Sequence, residues 1–339
     1  MSCWSHSGLK VRPGWFSLTM RILITGSFGF VGGRLAVHLA QAGHQIILGT
    51  SHSIDSPDWL PQAEVVKIAW DDEVALEHSC AGVDVIIHAA GMNAQDCAAD
   101  PEAALAFNGF ATAKLVAAAS MSSVKKIIYL STAHVYASPL AGVITEETCP
   151  LNLHPYATSH LAGEQAVLNA HSRGELKGIV LRMSNAFGAP MHKDANCWML
   201  LVNDLCKQAV QTRQLVLQSS GLQQRDFIGL TEVCCVAEKL VDSDQFKQMN
   251  VFNVGAGVSQ SVLAIAQLIQ QRCTKVLGFL PELQHKRGGV DEQHPTLTYL
   301  TNNLNILGIS CNSLDDSVEI DRLLQFCQAV FTQKKVKKT

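Results

Sequence analysis

The sequence predicts an α/β protein: a doubly wound parallel sheet joined to a smaller C-terminal lobe. Three observations predict it. Short β-branched runs alternate with longer Ala-rich segments from Met20 onward. Those runs are continuously apolar rather than alternating, as strands covered on both faces are. A glycine-rich turn joins the first run to the first helix-like segment. The chain of 339 residues has room for two domains, or for one large domain with a lobe. With 47% hydrophobic and 16% charged residues it can fill a large core.

The elements follow in order. Arg-Ile-Leu-Ile-Thr (21–25) is a strand, and the segment near 30–42 a helix. His-Gln-Ile-Ile-Leu-Gly-Thr (44–50) is the second strand, followed by a loop, and Ala-Glu-Val-Val-Lys-Ile-Ala (63–69) the third. Asp-Val-Ile-Ile-His-Ala-Ala (84–90), a helix near 102–121 and Lys-Lys-Ile-Ile-Tyr-Leu-Ser-Thr (125–132) come next. Strands near 178–183 and 251–255 complete the βαβ pattern. Segments 184–224 and 256–330 are richer in Gln, Asn, Pro and Gly and have shorter apolar patches, so they read as the lobe. The expected division is therefore 20–183 with 225–255 for the sheet domain, and 184–224 with 256–330 for the lobe.

The two ends look different. Residues 1–19 mix Gly, Pro, Ser and two Trp without period, and read as an unordered N-terminal extension before Met20. Residues 331–339 form a basic tail with Lys334, Lys335, Lys337 and Lys338, read as a solvated terminus. A net charge of −3 and the lack of a basic stripe exclude nucleic acid as an expected partner. No apolar run approaches the ~20 residues of a membrane span, so no membrane partner is expected. Eleven scattered cysteines without a CxxC pair fit a reducing cytoplasm. Thirteen histidines without HxxxH or Cys/His spacing predict no metal.

The turn after the first strand reads Thr25-Gly26-Ser27-Phe28-Gly29-Phe30-Val31-Gly32-Gly33. In this GxxGxxG spacing the first glycine makes a tight turn and the second lets backbone approach a pyrophosphate. The third lets helix pack close on strand, and the helix N-terminus faces the phosphates. This is the fingerprint of a Rossmann-type dinucleotide site, with NAD or NADP as the cofactor. The second strand ends Leu48-Gly49-Thr50-Ser51-His52, with neither a carboxylate for the NAD ribose nor an Arg for the NADP phosphate. Ser51 and His52 can donate to a phosphate, or be loop residues, and the choice of cofactor form stays open. Asp71, after the third strand, is placed to accept from an adenine amino group or to be a strand-end turn residue.

Further along come His88-Ala89-Ala90-Gly91, Asn108 and Thr112, Leu130-Ser131-Thr132-Ala133-His134-Val135-Tyr136, and Pro155-Tyr156-Ala157-Thr158-Ser159-His160. Leu181-Arg182-Met183-Ser184-Asn185-Ala186-Phe187-Gly188, Gly221-Leu222-Gln223-Gln224-Arg225-Asp226-Phe227-Ile228 and Phe252-Asn253-Val254-Gly255 follow. In order and spacing, residues 20–330 resemble an extended short-chain dehydrogenase/reductase of the nucleotide-sugar epimerase/dehydratase type. The resemblance implies catalytic roles for Thr132, bonding the sugar oxygen that is oxidised, and Tyr156, removing its proton. It implies that Ala89 and Ala90 lie beneath the cofactor. Asn185, Arg225 and Arg287 match contacts to the substrate diphosphate, which a planar guanidinium suits. Read without the resemblance, Arg225 can equally pair with Asp226. The family also implies a homodimer.

The family motif YxxxK here reads Tyr156-Ala-Thr-Ser-His160. Residues four apart share a helix face, so His160 lies beside Tyr156. The family's lysine holds the nicotinamide ribose and lowers the tyrosine pKa by its charge. A histidine is mostly neutral at pH 7, yet can donate one hydrogen bond to a ribose hydroxyl. The expectation is a weakened base, or a site that keeps binding after losing turnover. The acid–acid pair of the family's dehydratases is replaced by Ala133 and His134. Ala133 cannot transfer a proton; His134 can act as acid or base, or be packed at the strand end. The expected function is NAD(P)-dependent epimerisation or reduction of a nucleotide sugar, in polysaccharide precursor synthesis. The alternative is a cofactor- and nucleotide-sugar-binding sensor or partner subunit.

Overall fold

The computed structural model describes residues 19–52, 55–243, 249–286, 295–311 and 315–332. The N-terminal extension, apart from Thr19, and the basic tail beyond Thr332 lie outside them, as does Arg287. The described chain opens with β1 (Arg21–Thr25), α1 (Phe30–Gln41), β2 (Gln45–Thr50), β3 (Glu64–Lys67), α2 (Glu73–Cys80) and β4 (Val85–His88). Then come α3 (Ala94–Ala99), α4 (Pro101–Ala104), a π-helical stretch Leu105–Ala111, α5 (Thr112–Met121), β5 (Lys126–Thr132) and β6 (Gly142–Ile144). The chain continues with α6 (Pro155–Ser172), β7 (Lys177–Met183), β8 (Asn185–Phe187), α7 (Leu201–Thr212), β9 (Gln214–Val216) and β10 (Gln224–Gly229). It closes with α8 (Leu230–Asp242), β11 (Val251–Val254), β12 (Ser259–Ser261), α9 (Val262–Leu277), β13 (Glu282–Gln284), β14 (Leu297–Tyr299), α10 (Asn302–Ile306) and α11 (Asp316–Phe331).

Seven strands form one parallel sheet in the order β3-β2-β1-β4-β5-β7-β11. The order reverses at β1 and β4, which opens a crevice at their carboxyl ends. Both faces are covered. Ile22, Ile24, Leu48, Ile87 and Ile128 pack under α1 and α8. Their chain neighbours Leu23, Ile47, Ile86 and Ile127 pack on the other side, beneath α2, α5 and α6. Successive strand residues point to opposite faces, so two buried faces require the unbroken apolar runs seen in the sequence. Each such side chain contributes roughly 1.5–3 kcal/mol by leaving water. β11 returns to the sheet beside β7, as expected for residues 251–255.

The lobe has its own core, with Phe187, Leu205, Leu215, Phe227, Ile269, Ile320 and Leu324 among its members. Two expected boundaries move. β10 pairs with β8 and β12 and joins the lobe, so the sheet domain resumes at α8 rather than at residue 225. Its polar start, Gln224-Arg225-Asp226, could not fill a fully covered sheet. Leu304, Ile309 and Cys311, expected in the lobe, instead pack into the core under α1 and α8. A buried clasp also ties α1 to α11: Arg34 Nη1 meets Glu319 Oε1 at 2.6 Å and donates to the Ala189 carbonyl at 2.9 Å. Glu319 also accepts from the Thr231 hydroxyl at 2.5 Å.

Pro101–Met121 runs as one continuous helix whose length and composition suffice for a bilayer span. It is the helix expected near 102–121, and Glu102, Asn108 and Lys114 interrupt its apolar run. Half of the window is buried inside the protein, against α2 and α6. Its π-helical turn carries Phe107 to the wall of the crevice and buries Asn108 against the loop after β4, as π turns at functional sites do.

Candidate active site

The turn from β1 into α1 floors the crevice. Gly26 has a left-handed φ of +67°, and a Cβ there would lie 2.7 Å from the Ala90 nitrogen. Both facts demand glycine. A Cβ at Gly32 would collide with the Gly26 carbonyl, so the third glycine lets the helix close on the turn itself rather than on the strand. Gly29 caps α1 in extended conformation and contributes no side-chain hydrogen bond. The first N–H groups of the helix therefore point toward the crevice without a side-chain cap. A cleft of about 230 Å³ opens above, lined by Gly26, Phe28, Gly29, Ser51, Ala89 and Ala90, all expected there. Phe30, Val31 and Gly32 lie inside the first turn of α1 and do not line it.

The lining also includes Gly49, Thr50, Ile68, Trp70, Gly91 and Phe107, none of which the sequence reading selected for cofactor contact. Gly91 and Trp70 flank motif positions and could have been found by adjacency; Phe107 gives no local signal. Asp71 does not reach the cleft. Its fully exposed carboxylate faces Lys114 Nζ at 3.4 Å, and Trp70 takes the wall instead. Trp70 turns its apolar ring toward His88 and Phe107 and leaves Asp71 to solvent.

Beneath the cleft, a directed chain of hydrogen bonds holds the loop after β4. Burial pushes the His88 imidazole down to about 3, and nearby His160 adds to this, so the ring is neutral. Thr112 Oγ1 donates to the Asn108 carbonyl at 2.7 Å and so accepts from His88 Nε2 at 2.9 Å. His88 Nδ1 is then the acceptor for the Thr25 hydroxyl at 2.6 Å, and that hydroxyl oxygen receives the Ala90 N–H. Asn108 completes the wall: its Oδ1 accepts from Met92 N at 2.8 Å and its Nδ2 donates to Ser159 Oγ at 3.0 Å.

Thr132 ends β5 and caps a short 3₁₀ turn by accepting from His134 N at 3.1 Å. Tyr156 enters α6 one residue after Pro155, behind the His154 cap, so the helix start fixes its direction. Burial pushes the Tyr156 phenol above its ordinary value, and a hydrogen bond from Thr132 opposes the rise. Thr132 and Tyr156 are thus brought together from elements 24 residues apart. His160 follows one turn later, with ring centroids 4.6 Å from Tyr156 in an edge-on arrangement. Burial drives its imidazole down to about 4, so His160 is uncharged at neutral pH.

Asn185 and Arg225 sit together on paired strands β8 and β10, Asn185 Nδ2 donating to the Asp226 carbonyl at 2.8 Å. Arg225 does not pair with Asp226. Neighbours on a strand point to opposite faces, and the Asp226 carboxylate accepts from Ala256 N and Gly257 N at 2.9 and 2.8 Å. Burial pushes Asp226 up to about 6 and Arg225 below its ordinary value. Among the described residues no ion pair reaches the Arg225 guanidinium. His134 lies near enough to feel its charge: burial, then Arg225 and His154, push that imidazole down. No cluster with metal-ligand geometry exists among the described residues.

The sequence profile of the NAD dependent epimerase/dehydratase family matches residues 22–255. The chain is similar to human dTDP-D-glucose 4,6-dehydratase, 25% identical over 283 residues that cover 79% of this chain and 77% of the relative. Among solved structures it is similar to UDP-N-acetylglucosamine 4-epimerase from Methanobrevibacter ruminantium M1, determined in complex with UDP-N-acetylmuramic acid. That match has a TM-score of 0.76 and 22% identity, over 91% of this chain and 98% of the other. UDP-glucuronic acid 4-epimerase from Bacillus cereus, in complex with UDP-glucuronic acid and NAD, matches at a TM-score of 0.73 and 19% identity, over 91% and 99%.

Proposed function

Because this chain belongs to the NAD dependent epimerase/dehydratase family, of the extended short-chain dehydrogenase/reductase type, we propose that it is an NAD(P)-dependent nucleotide-sugar epimerase or reductase. The observation that carries this reading is the approach of Thr132 to the Tyr156 phenol, close enough to oppose its upward shift, beside an intact dinucleotide cleft. The cleft fits a pyrophosphate: Gly26 and Gly29 leave backbone bare, and the uncapped start of α1 offers N–H donors. A bound nicotinamide supplies a hydride acceptor and donor there. Gly26, Phe28, Gly29, Ser51, Ala89 and Ala90 hold the cofactor in this reading, Phe30, Val31 and Gly32 shape the turn, and Tyr156 and His160 reach its ribose.

Thr132 binds the sugar hydroxyl, and Tyr156 takes its proton as that carbon is oxidised. Asn185, Arg225 and Arg287 hold the diphosphate. Arg225 supports this: it is largely desolvated and no carboxylate among the described residues pairs with it, so it is poised for an anion. Ala133 offers no acid, which speaks against a 4,6-dehydratase. A homodimer forms through helices that include α6, which carries Tyr156; the exposed Leu105 and Phe110 on the neighbouring helix support this. We assign the protein to the reducing cytoplasm and to polysaccharide precursor synthesis; the ten described cysteines, all free, support that compartment.

The test is turnover of UDP-, GDP- and dTDP-sugars with NAD and with NADP, for native protein and Tyr156→Phe. Native turnover is expected, with loss of about 10²–10⁴-fold in the variant at nearly unchanged cofactor affinity. The neutral His160 favours one second reading, a binding protein without turnover. Tight cofactor binding with an inert native protein at both pH 7 and pH 9.5 would establish that reading instead.

A further inference from the structure

We propose that Tyr129 is a positioning residue. Its phenol fixes His160 as the tautomer protonated on Nε2, so that the ring donates a hydrogen bond into the cofactor cleft. The proposal rests on the nicotinamide reading above and says how a neutral residue takes up the place of the motif's lysine.

The geometry is a buried pair. Tyr129 is 1% exposed and His160 6%, and the phenol oxygen lies 2.8 Å from His160 Nδ1. Two groups this close share one proton between them, and its direction follows from what surrounds them. Burial, then the charges of Glu164 and Tyr156, raise the Tyr129 phenol well above its ordinary value, so it keeps its proton. His160 is neutral for the same reason of burial. The phenol therefore donates and Nδ1 accepts, and a neutral imidazole that accepts on one nitrogen carries its proton on the other.

Of the groups that face the pair, the Thr112 hydroxyl also comes within reach of the phenol, but it already donates to the Asn108 carbonyl and accepts from His88 Nε2, which leaves His160 Nδ1 at 2.8 Å as the open acceptor. Both nitrogens of His88, whose ring lies 5.4 Å from Tyr129, are used by Thr25 and Thr112. Glu164 is taken by Ser131 at 2.5 Å and by Arg182 at 2.5 Å. Cys97 keeps its proton, since burial and then Asp96 push the thiol up against hydrogen bonds from Ser159 and Asn108. Two glycines build the pair. A Cβ at Gly163 would sit 2.7 Å from the phenol oxygen, so only glycine lets Tyr129 approach α6. A Cβ at Gly91 would sit 3.6 and 3.8 Å from His160 Cε1 and Nε2, so the edge carrying Nε2 faces the residue that lines the cleft.

The experiment uses the full chain labelled with ¹⁵N-histidine, together with NAD titrations of native protein, Tyr129→Phe and His160→Gln. The resonances of residue 160 are those missing from His160→Gln. We expect native His160 to be neutral and protonated on Nε2 with no cofactor present. Tyr129→Phe, which removes one oxygen, is expected to mix in the Nδ1-protonated tautomer and weaken NAD binding about tenfold, one hydrogen bond's worth. His160→Gln, which also accepts on one atom and donates from another, is expected to keep NAD affinity within about threefold of native, where a purely steric role of the ring would not. A native Nδ1-protonated ring overturns the proposal, as does a Tyr129→Phe protein with unchanged tautomer and affinity. If Tyr129→Phe fails to fold, the native tautomer and His160→Gln decide alone. A native protein that binds no nicotinamide cofactor overturns the cofactor reading and the donor role with it, while its tautomer separately decides the Tyr129 pairing.

Discussion

Replacing His160 by lysine puts a permanent charge beside Tyr156, and the gain can be worked out. The native imidazole, driven down to about 4 by burial, gives the phenol no electrostatic help at pH 7. The rings are 4.6 Å apart between centroids, so an ammonium on a longer side chain comes within roughly 6 Å of the phenol oxygen. At an effective dielectric of about 20–40, Coulomb's law gives about 1.4–2.8 kcal/mol, or one to two pKa units. Where the ionised fraction of Tyr156 limits the reaction, kcat at pH 7 should rise about tenfold to a hundredfold. The Tyr129 phenol can accept from the ammonium, so the new charge has a buried hydrogen-bond partner. The assay is turnover of the best nucleotide sugar from pH 6 to pH 10.5 for both proteins. The variant's profile should begin to bend at a lower pH than the native one, whose phenol burial holds above its ordinary value. A gain with no shift of the profile toward lower pH, or no gain despite undiminished cofactor binding, would refute the charge argument.

Other outcomes follow from the same geometry. Gly26→Ala places a Cβ 2.7 Å from Ala90 N at a left-handed φ, and should abolish the thermal stabilisation by NAD, about 2.7 kcal/mol in native protein at a hundredfold excess over Kd; a normal Tm rise would contradict the cradle. Arg225→Ala should weaken UDP binding about tenfold to hundredfold by calorimetry, the worth of a charged hydrogen bond, and leave NAD affinity unchanged. Burial pushes Glu319 up, but the charge and hydrogen bonds of Arg34 outweigh it and hold the carboxyl below its ordinary 4.5. A depressed folded pKa gives stability that is complete above the ordinary value and is lost as pH falls through the folded one. The Tm difference between native protein and Glu319→Gln should therefore be largest near pH 7 and shrink toward pH 3; a constant difference would show that the clasp acts through packing alone.

The sheet domain was legible because its residues obey local rules. Ile22 to Thr25 are buried on both faces and read as an unbroken apolar run, Gly26 is required by its left-handed φ, and Gly32 by a contact within the same turn. The lobe was less legible because β10 begins with Gln224-Arg225-Asp226, polar residues that pair with β8 and β12 and resemble a loop in the sequence. Phe107 lines the cleft from the π-helical stretch, and nothing local marks it as a cleft residue; Trp70 is marked only by its place beside Asp71. His160 shows the limit most clearly. The break in YxxxK is visible in the sequence, and so is the loss of a charge. Its consequence depends on Tyr129, 31 residues earlier on β5, which occupies Nδ1 and leaves only Nε2 for the cleft. A histidine at that position on its own could donate from either nitrogen or be protonated. Packed against a buried phenol with Gly163 behind it, it has one neutral form and one direction in which to donate. The local motif therefore reports that the lysine is missing, and the fold determines which part of its work, the hydrogen bond rather than the charge, the replacement can do.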